Sequence, residues 1–303
     1  MIVRWGVEEL PGVLEDAGID RPLLVASPRW DVLAIPATAR WSEIPSDRIA
    51  VPREVDGILA VGGGSAIDTG KAASAASDLP LVSVPTTYAG AEWTTFFGIR
   101  TPQRRQVGGG SGARLAGIVY DPELTLDLPR PESGGTALNA LAHCIEALYP
   151  GELEEARLGA AAIDEWLPRV LEEGRDLEAR TRLLEGASEA GQALAKHGLY
   201  LGHAMAQAVG GRYGIAHGAA NALCLPPAMR FNAEVAPRAL TAVAVDRVEE
   251  LARLAGFSRL RDLGVPEDEL EEVAAAAAAR PGAKANPRPA SVEQIAGLYR
   301  SVW

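Results

Sequence analysis

Cationic side chains are the minority in this sequence: 29 Lys and Arg stand against 40 Asp and Glu in 303 residues, a formal net charge of −11. A surface of that sign repels phosphate backbones, and no Lys/Arg block offers a local exception, which argues against nucleic-acid binding. Cysteine is nearly absent. The two present, Cys144 and Cys224, lie in apolar, helix-like sequence and read as buried small side chains in a reducing compartment, not as a disulfide framework. No uninterrupted apolar run reaches about 18 residues, so no membrane span is expected. The opening stretch Met1-Ile2-Val3-Arg4-Trp5-Gly6-Val7-Glu8-Glu9 lacks the apolar core of a signal peptide, and the expected location is the cytoplasm.

What remains is an ordinary globular composition, 48% hydrophobic and 23% charged, at a length that suggests two domains. The first half alternates short β-rich runs with Gly or Pro punctuation. Leu23–Ala26, Gly57–Val61 and Leu81–Val84 are continuously apolar and stop at turn residues, as buried strands of a parallel sheet do. A helix over 66–76 completes a βαβ unit. From about Glu132 onward the strand signal vanishes. Ala137–Tyr149, Leu153–Glu173, Leu177–Val209, Ala219–Phe231, Pro237–Leu254 and Pro266–Ala279 show helical spacing, broken at Pro150-Gly151, Gly210-Gly211 and Pro281-Gly282. The expected architecture is an α/β domain with a parallel sheet over residues 1–131, followed by an all-α domain over 132–303, with the boundary near Pro129–Gly135.

Two polar loops of the first half stand where a ligand would bind. Val61-Gly62-Gly63-Gly64-Ser65 follows a strand and opens a helix. Glycines permit close backbone approach, and a helix N-terminus offers unpaired N–H groups and a favourable dipole to a pyrophosphate. The pattern is neither GxGxxG nor a Walker A loop, and alone it also suits a plain strand-to-helix turn. Thr86 and Thr87 follow the next strand in Pro85-Thr86-Thr87-Tyr88-Ala89-Gly90. Ligands of open α/β sheets bind beyond the carboxyl ends of strands, so the two loops together suggest a nucleotide crevice.

The second half carries three histidines in a pattern. Asn139 and His143 are four apart on one helical face, His203 and Gln207 repeat that spacing, and His217 follows a glycine-broken return of the chain. A single histidine reads as a satisfied core or surface residue, and His197 does so here. Three on glycine-hinged helices weigh toward a site. Three imidazoles suffice for a catalytic zinc, and two with a carboxylate suit Fe(II). Asn139 stands where an anionic fourth ligand would be convenient, but its neutral amide is a much weaker ligand. Glu146, three residues past His143, reads as facing solvent or a domain contact.

These segments together resemble the iron-containing alcohol dehydrogenase superfamily, most closely its maleylacetate reductase branch. The resemblance is carried by Gly62-Gly63-Gly64-Ser65-Ala66-Ile67-Asp68, by Pro85-Thr86-Thr87-Tyr88-Ala89-Gly90-Ala91-Glu92 and by Tyr120-Asp121-Pro122-Glu123-Leu124-Thr125. Leu138-Asn139-Ala140-Leu141-Ala142-His143, the stretch from His203 to Leu225 and Asn286-Pro287-Arg288-Pro289 complete it. It implies a dehydroquinate synthase-like fold, with NAD or NADP bound in the interdomain cleft by Gly62, Gly63, Gly64, Ser65, Thr86 and Thr87. It also implies a homodimer, formed through an exposed N-terminal strand. In metal-dependent relatives an aspartate and three histidines ligate the metal, at positions matching Asn139, His143, His203 and His217. Asparagine at position 139 is what maleylacetate reductases look like, which implies catalysis without metal. Hydride would then reach an activated C=C or C=O carbon while a histidine or a bound water donates the proton.

Three features depart from the family pattern. Gln207 stands where the superfamily commonly has a histidine beside the nicotinamide. Ala204 stands where maleylacetate reductases look to carry a lysine, leaving a dicarboxylate substrate one cation fewer. From Pro28 to Ala60 there is room for about one βαβ crossover, and Asp31–Val51, with Pro36 and Pro45 inside it and Pro52 after it, is too broken for a full helix-strand unit. The first strand ends Ala26-Ser27-Pro28-Arg29 without a carboxylate for a ribose 2′-OH; Ser27 tolerates a 2′-phosphate and Arg29 can pair with one, so NAD and NADP both stay open.

The leading expectation is a metal-independent NAD(P)H-dependent reductase of a small enone, keto acid or aldehyde, with His143, His203, His217, Asn139 and Gln207 at its catalytic site. The alternative keeps the fold and places Zn or Fe on His143, His203 and His217 as an alcohol dehydrogenase. A non-redox synthase would need a phosphate-binding cluster, for which Arg100, Arg104 and Arg105 are the candidates. A degenerate, non-catalytic binding protein is suggested by Gln207 and the shortened N-terminal half, and failure to bind any nicotinamide cofactor would favour it.

Overall fold

The continuously apolar runs of the first half become inner strands because both of their faces are covered. A computed structural model describes residues 1–35 and 37–303; Pro36, one of the breakers noted above, lies outside them. The chain divides into two units, residues 1–87 with 91–125, and residues 88–90 with 126–303.

The first unit holds β1 (Ile2–Trp5), α1 (Leu10–Asp16), β2 (Pro22–Ala26), β3 (Ala39–Trp41), β4 (Gly57–Gly62), α2 (Gly64–Ser77), β5 (Pro80–Pro85), β6 (Phe97–Arg100), β7 (Gln106–Gly110) and β8 (Arg114–Tyr120). Six strands form one sheet in the order β1-β8-β5-β4-β2-β3, every pair parallel. Successive strand residues point to opposite faces, so each inner strand serves two cores. Leu24, Ala26, Leu59, Val61, Val82 and Val84 pack on one side with Leu10 and Val13 of α1. Leu23, Val25, Ile58, Ala60 and Leu81 pack on the other with Ala73 of α2. This explains why the sequence of these strands does not alternate. β6 and β7 form a separate antiparallel hairpin. It is tied to α2 where Asp68 accepts from the Gly98 amide and the buried Lys71 Nζ donates to the Phe96 carbonyl. The broken stretch after β2 folds as a 3-10 turn, Pro28–Leu33, and the three-residue edge strand β3.

The second unit is helical: α3 (Arg130–Ala147), α4 (Glu154–Glu172), α5 (Leu177–His197), α6 (Leu201–Tyr213), α7 (His217–Asn232), α8 (Pro237–Ala242), α9 (Val245–Leu254), α10 (Leu270–Ala278), α11 (Pro281–Lys284) and α12 (Val292–Ser301). α3 is at its centre, packed by α4, α5 and α7. Nearly every α3 residue from Ser133 to Ala147 is buried, as a helix covered all round requires. Three expectations are corrected. The Pro129–Gly135 stretch does not interrupt the chain, because Pro129 is the N-cap of α3 and the two glycines lie inside that helix. The stretch Leu177–Val209 is two helices, parted where Gly198 takes a φ of 75°. Pro237–Leu254 is likewise two helices, α8 and α9. Behind α7, Asn232 and Asn286 exchange amide hydrogen bonds of 2.8 and 2.9 Å, and Arg288 Nη1 donates to the Phe231 carbonyl. Among the described residues no helix is long and apolar enough to cross a membrane.

Small residues set the approach of α3 to α7. A Cβ added at Gly218 would stand 2.4 Å from the backbone carbon and oxygen of Gly135, atoms that cannot rotate aside. Gly218→Ala is expected to destabilise the protein by about 1–3 kcal/mol, read as a fall in the urea midpoint. Gly151→Ala, whose Cβ meets nothing within 4 Å, should leave the midpoint unmoved.

Candidate active site

In the first unit the glycine turn and the threonine loop are built against one another. Gly62, with a φ of 145°, ends β4, and its carbonyl accepts from the Thr86 amide at the end of β5. A Cβ at Gly63 would stand 2.8 Å from Thr87 Cγ2, and one at Gly62 would stand 2.8 Å from Ala66 Cβ. Only glycine leaves the cradle open and the backbone exposed. Gly63 is also the N-cap of α2 and brings no capping side chain, so the first-turn amides point outward with their dipole. Ser65 lies in that first turn, half-buried, and Ser27 follows the end of β2, also half-buried. Arg29 is exposed and stacks over the Trp30 ring at 4.4 Å.

In the second unit three imidazoles are gathered around a buried carboxylate and two buried amides. Glu146 lies on α3 one turn past His143 and is fully buried. Its Oε2 accepts from the Tyr200 amide at 2.7 Å and faces His203 Nδ1 at 2.8 Å, while Oε1 accepts from the His203 amide at 3.1 Å. A carboxylate oxygen accepts, so His203 Nδ1 carries the hydrogen and Nε2 the lone pair. That Nε2 is buried and has no protein partner. The expectation that Glu146 faces solvent or a domain contact is therefore corrected: its two oxygens organise the start of α6.

His143 stacks on His203, ring centroids 4.8 Å apart at 14°, and His217 lies 5.7 Å from His203. Burial, reinforced by the adjacent imidazoles of His203 and His217, holds His143 well below the usual histidine range; it is neutral at physiological pH. Asn139 is buried and fully committed. Its Nδ2 donates to the Ala89 carbonyl at 3.0 Å, and its Oδ1 accepts from Asn221 Nδ2 at 2.7 Å. The same Asn221 nitrogen stands 3.1 Å from His217 Nε2. An amide nitrogen only donates, so that ring nitrogen is the acceptor. Gln207 is not part of this cluster; its side-chain oxygen and its carbonyl accept from Arg280. His197 sits apart at the end of α5.

The family is settled by comparison. Residues 134–303 match the model of the "Fe-containing alcohol dehydrogenase family, C-terminal", and residues 48–120 match "Iron-containing alcohol dehydrogenase". The chain belongs to the iron-containing alcohol dehydrogenase family. Within it the chain falls in the maleylacetate reductase branch. It is 32% identical to the maleylacetate reductase of Pseudomonas knackmussii over 87% of this chain and 84% of that one. It is 36% identical to maleylacetate reductase 1 of Cupriavidus pinatubonensis over 71% of this chain and 65% of that one. The crystal structure of maleylacetate reductase from Agrobacterium tumefaciens superposes with a TM-score of 0.86 at 28% identity, covering 100% of this chain and 95% of that one. This member of the iron-containing alcohol dehydrogenase family is an NAD(P)H-dependent reductase.

The family's name raises iron directly, and the residues that would hold it are His143, His203 and His217. The position that would bring negative charge is Asn139, whose amide is engaged on both sides. Two residues of the cluster escaped sequence reasoning, Glu146 and Asn221. Asn221 had a signal: it stands four residues after His217, the spacing already noted for Asn139 and His143. Glu146 had only its distance of three from His143.

Removing the carboxylate leaves three donors facing nothing. Glu146→Ala is expected to cost about 3 kcal/mol of stability, and Glu146→Gln, which keeps one acceptor, about half that; chemical denaturation with both variants checks the order.

Proposed function

We propose that this chain reduces an activated C=C or C=O bond of a small enone, keto acid or aldehyde with NADH or NADPH, and that it does so without a metal ion. The observation that carries the reading is the pairing of His203 Nδ1 with the buried Glu146 carboxylate at 2.8 Å, which leaves Nε2 unpartnered. A carboxylate behind an imidazole fixes the ring and its tautomer, so that Nε2 faces outward where a proton is passed. His203 first takes a proton from solvent at Nε2, with Nδ1–H still bonded to Glu146, and then hands that Nε2 proton to the carbon or oxygen that becomes basic. His143 and His217, as neutral rings, stabilise the enolate or alkoxide charge while it exists. Asn139 and Asn221 orient His217 and supply no charge of their own. NAD(P)H supplies the hydride when bound, so substrate, reduced cofactor and one proton give reduced product and NAD(P)+.

The first unit, on this reading, holds the dinucleotide. Gly62, Gly63 and Gly64 form the cradle, Ser65 and the first-turn amides of α2 take the pyrophosphate, and Thr86 and Thr87 line the neighbouring strand end. Ser27-Pro28-Arg29 brings no carboxylate to the end of β2, which supports a site open to NADP as well as NAD. β1 is an edge strand with one side unpaired in the sheet, which supports a homodimer joined along that edge. Two cysteines, both buried and free, support a reducing, cytoplasmic location. A metal-dependent alcohol dehydrogenase would hold its ion on His143, His203 and His217 without an anionic ligand at position 139.

The test uses EDTA-treated protein, titrated with NADH and NADPH by fluorescence and then assayed on a panel of carbonyl and enone compounds. Turnover unaffected by the chelator is expected. Activity that returns only with added Zn or Fe would overturn the metal-free reading, and failure to bind either nucleotide would overturn the redox reading altogether. In the same assay His203→Ala should lower kcat by about 10²- to 10⁴-fold while leaving the nucleotide Kd unchanged.

A further inference from the structure

Among the described residues Arg280 is a half-buried guanidinium without a counterion. It stands at the N-cap of α11, and the acidic residues nearest in sequence are taken: Glu269 and Glu272 pair with Arg212, and Glu271 with Arg300. Its own bonds go to neutral acceptors, Nη1 to Gln207 Oε1 at 3.2 Å and Nη2 to the Gln207 carbonyl at 3.1 Å. Its Nε is buried with no partner. Neutral acceptors fix a guanidinium in place but do not cancel its charge, and partial burial of an unpaired charge is costly. Burial accordingly pulls the Arg280 guanidinium below its ordinary value. Two of its five donors are committed to Gln207, and the rest of the fork suits an anion.

The loop bearing Arg280 lies along the stripe of α6 that carries His203. Tyr200, His203 and Gln207 stand at i, i+3 and i+7, so they share one side of the helix. Gly282 fits against the near end, where a Cβ would stand 2.7 Å from the Tyr200 oxygen and 3.0 Å from the Leu199 oxygen. Arg280 grips Gln207 at the far end. Between them is His203, whose Nε2 has no protein partner. The stripe runs from fully buried His203 to half-buried Gln207, which is bonded to the half-buried cation Arg280. Ala204, also on α6, brings none.

We propose that Arg280, held by Gln207, is the residue that binds a carboxylate of the substrate. The proposal rests on the reading of His203 as part of a reductase site. Arg280 is then a binding residue that discriminates between substrates of one carbon frame, and Gln207 is its positioning residue.

The experiment compares wild type, Arg280→Met, Arg280→Lys and Gln207→Glu on a keto acid and on the amide of that keto acid. Arg280→Met should raise KM for the acid about 10- to 100-fold, the loss expected for a charge-assisted pair, and leave kcat and the amide's KM within about twofold. Arg280→Lys should recover part of the loss. Gln207→Glu, which gives the guanidinium an internal counterion, should raise KM for the acid alone and serves if the methionine variant does not fold. An equal rise for acid and amide would overturn the proposal. So would a rise in KM for NADPH with none for the acid, because the guanidinium would then serve a nucleotide phosphate. If wild type reduces no carbonyl or enone, the reductase reading fails on its own, and binding of succinate by calorimetry tests the anion site directly. Binding to wild type that is lost in Arg280→Met would support the site, and no binding to wild type would overturn it.

Discussion

A carboxylate can be buried only where donors surround it, and Glu146 meets that requirement three times over. Two of its donors are main-chain amides, of Tyr200 and His203, and the third is the His203 ring. The amides belong to the opening of α6, where a helix leaves N–H groups unpaired. For them to reach α3, the chain must leave α5 and begin again, which it does at Gly198 with its φ of 75°. One ionisable side chain on α3 thus determines where α6 starts, how His203 is rotated, and which of its ring nitrogens carries hydrogen. Charge-assisted hydrogen bonds are roughly twice as strong as neutral ones, so this contact ranks above its neighbours in setting the geometry.

The remaining imidazoles are arranged without charge. Asn221 reaches both Asn139 and His217, and Asn139 reaches the Ala89 carbonyl. That last contact draws residues 88–90 into the helical unit. Arg180, fully buried, holds the same segment by donating to the Tyr88 hydroxyl at 3.1 Å, and to Ser133 Oγ and the Gly174 carbonyl. Gly90 completes it: a Cβ there would stand 3.2 Å from the Gly191 backbone and 3.5 Å from His143 Nδ1. Amides are well suited to this task because each both donates and accepts in fixed directions. In such an arrangement His203 is oriented through its Nδ1 and His217 through its Nε2, each by a partner fixed in the helical unit.

Much of the fold was legible in the order of residues. The inner strands β2, β4 and β5 announced themselves because a strand covered on both faces must be apolar at every position. The short strands were not legible: β3 is three residues, and β1 includes exposed Arg4 and Trp5, so neither carries a run long enough to distinguish. The single long helix expected over 177–209 failed because nothing in Lys196-His197-Gly198-Leu199-Tyr200 records that a distant carboxylate needs the Tyr200 amide. For the same reason Glu146 read as a surface residue. A glutamate's burial depends on partners 54 and 57 residues away, not on its neighbours.

The sequence by itself determined the fold class, the glycine turn and the presence of three histidines on helical segments, since each of these follows from local period and local backbone freedom. It also determined that position 139 is uncharged. Only the tertiary structure decided that Asn139 is held between Ala89 and Asn221, that Glu146 stands behind His203, and that Gln207 turns to Arg280. Those pairings join residues far apart in the chain. They exist because buried donors and acceptors must find one another once water is gone, a condition that no stretch of residues states on its own.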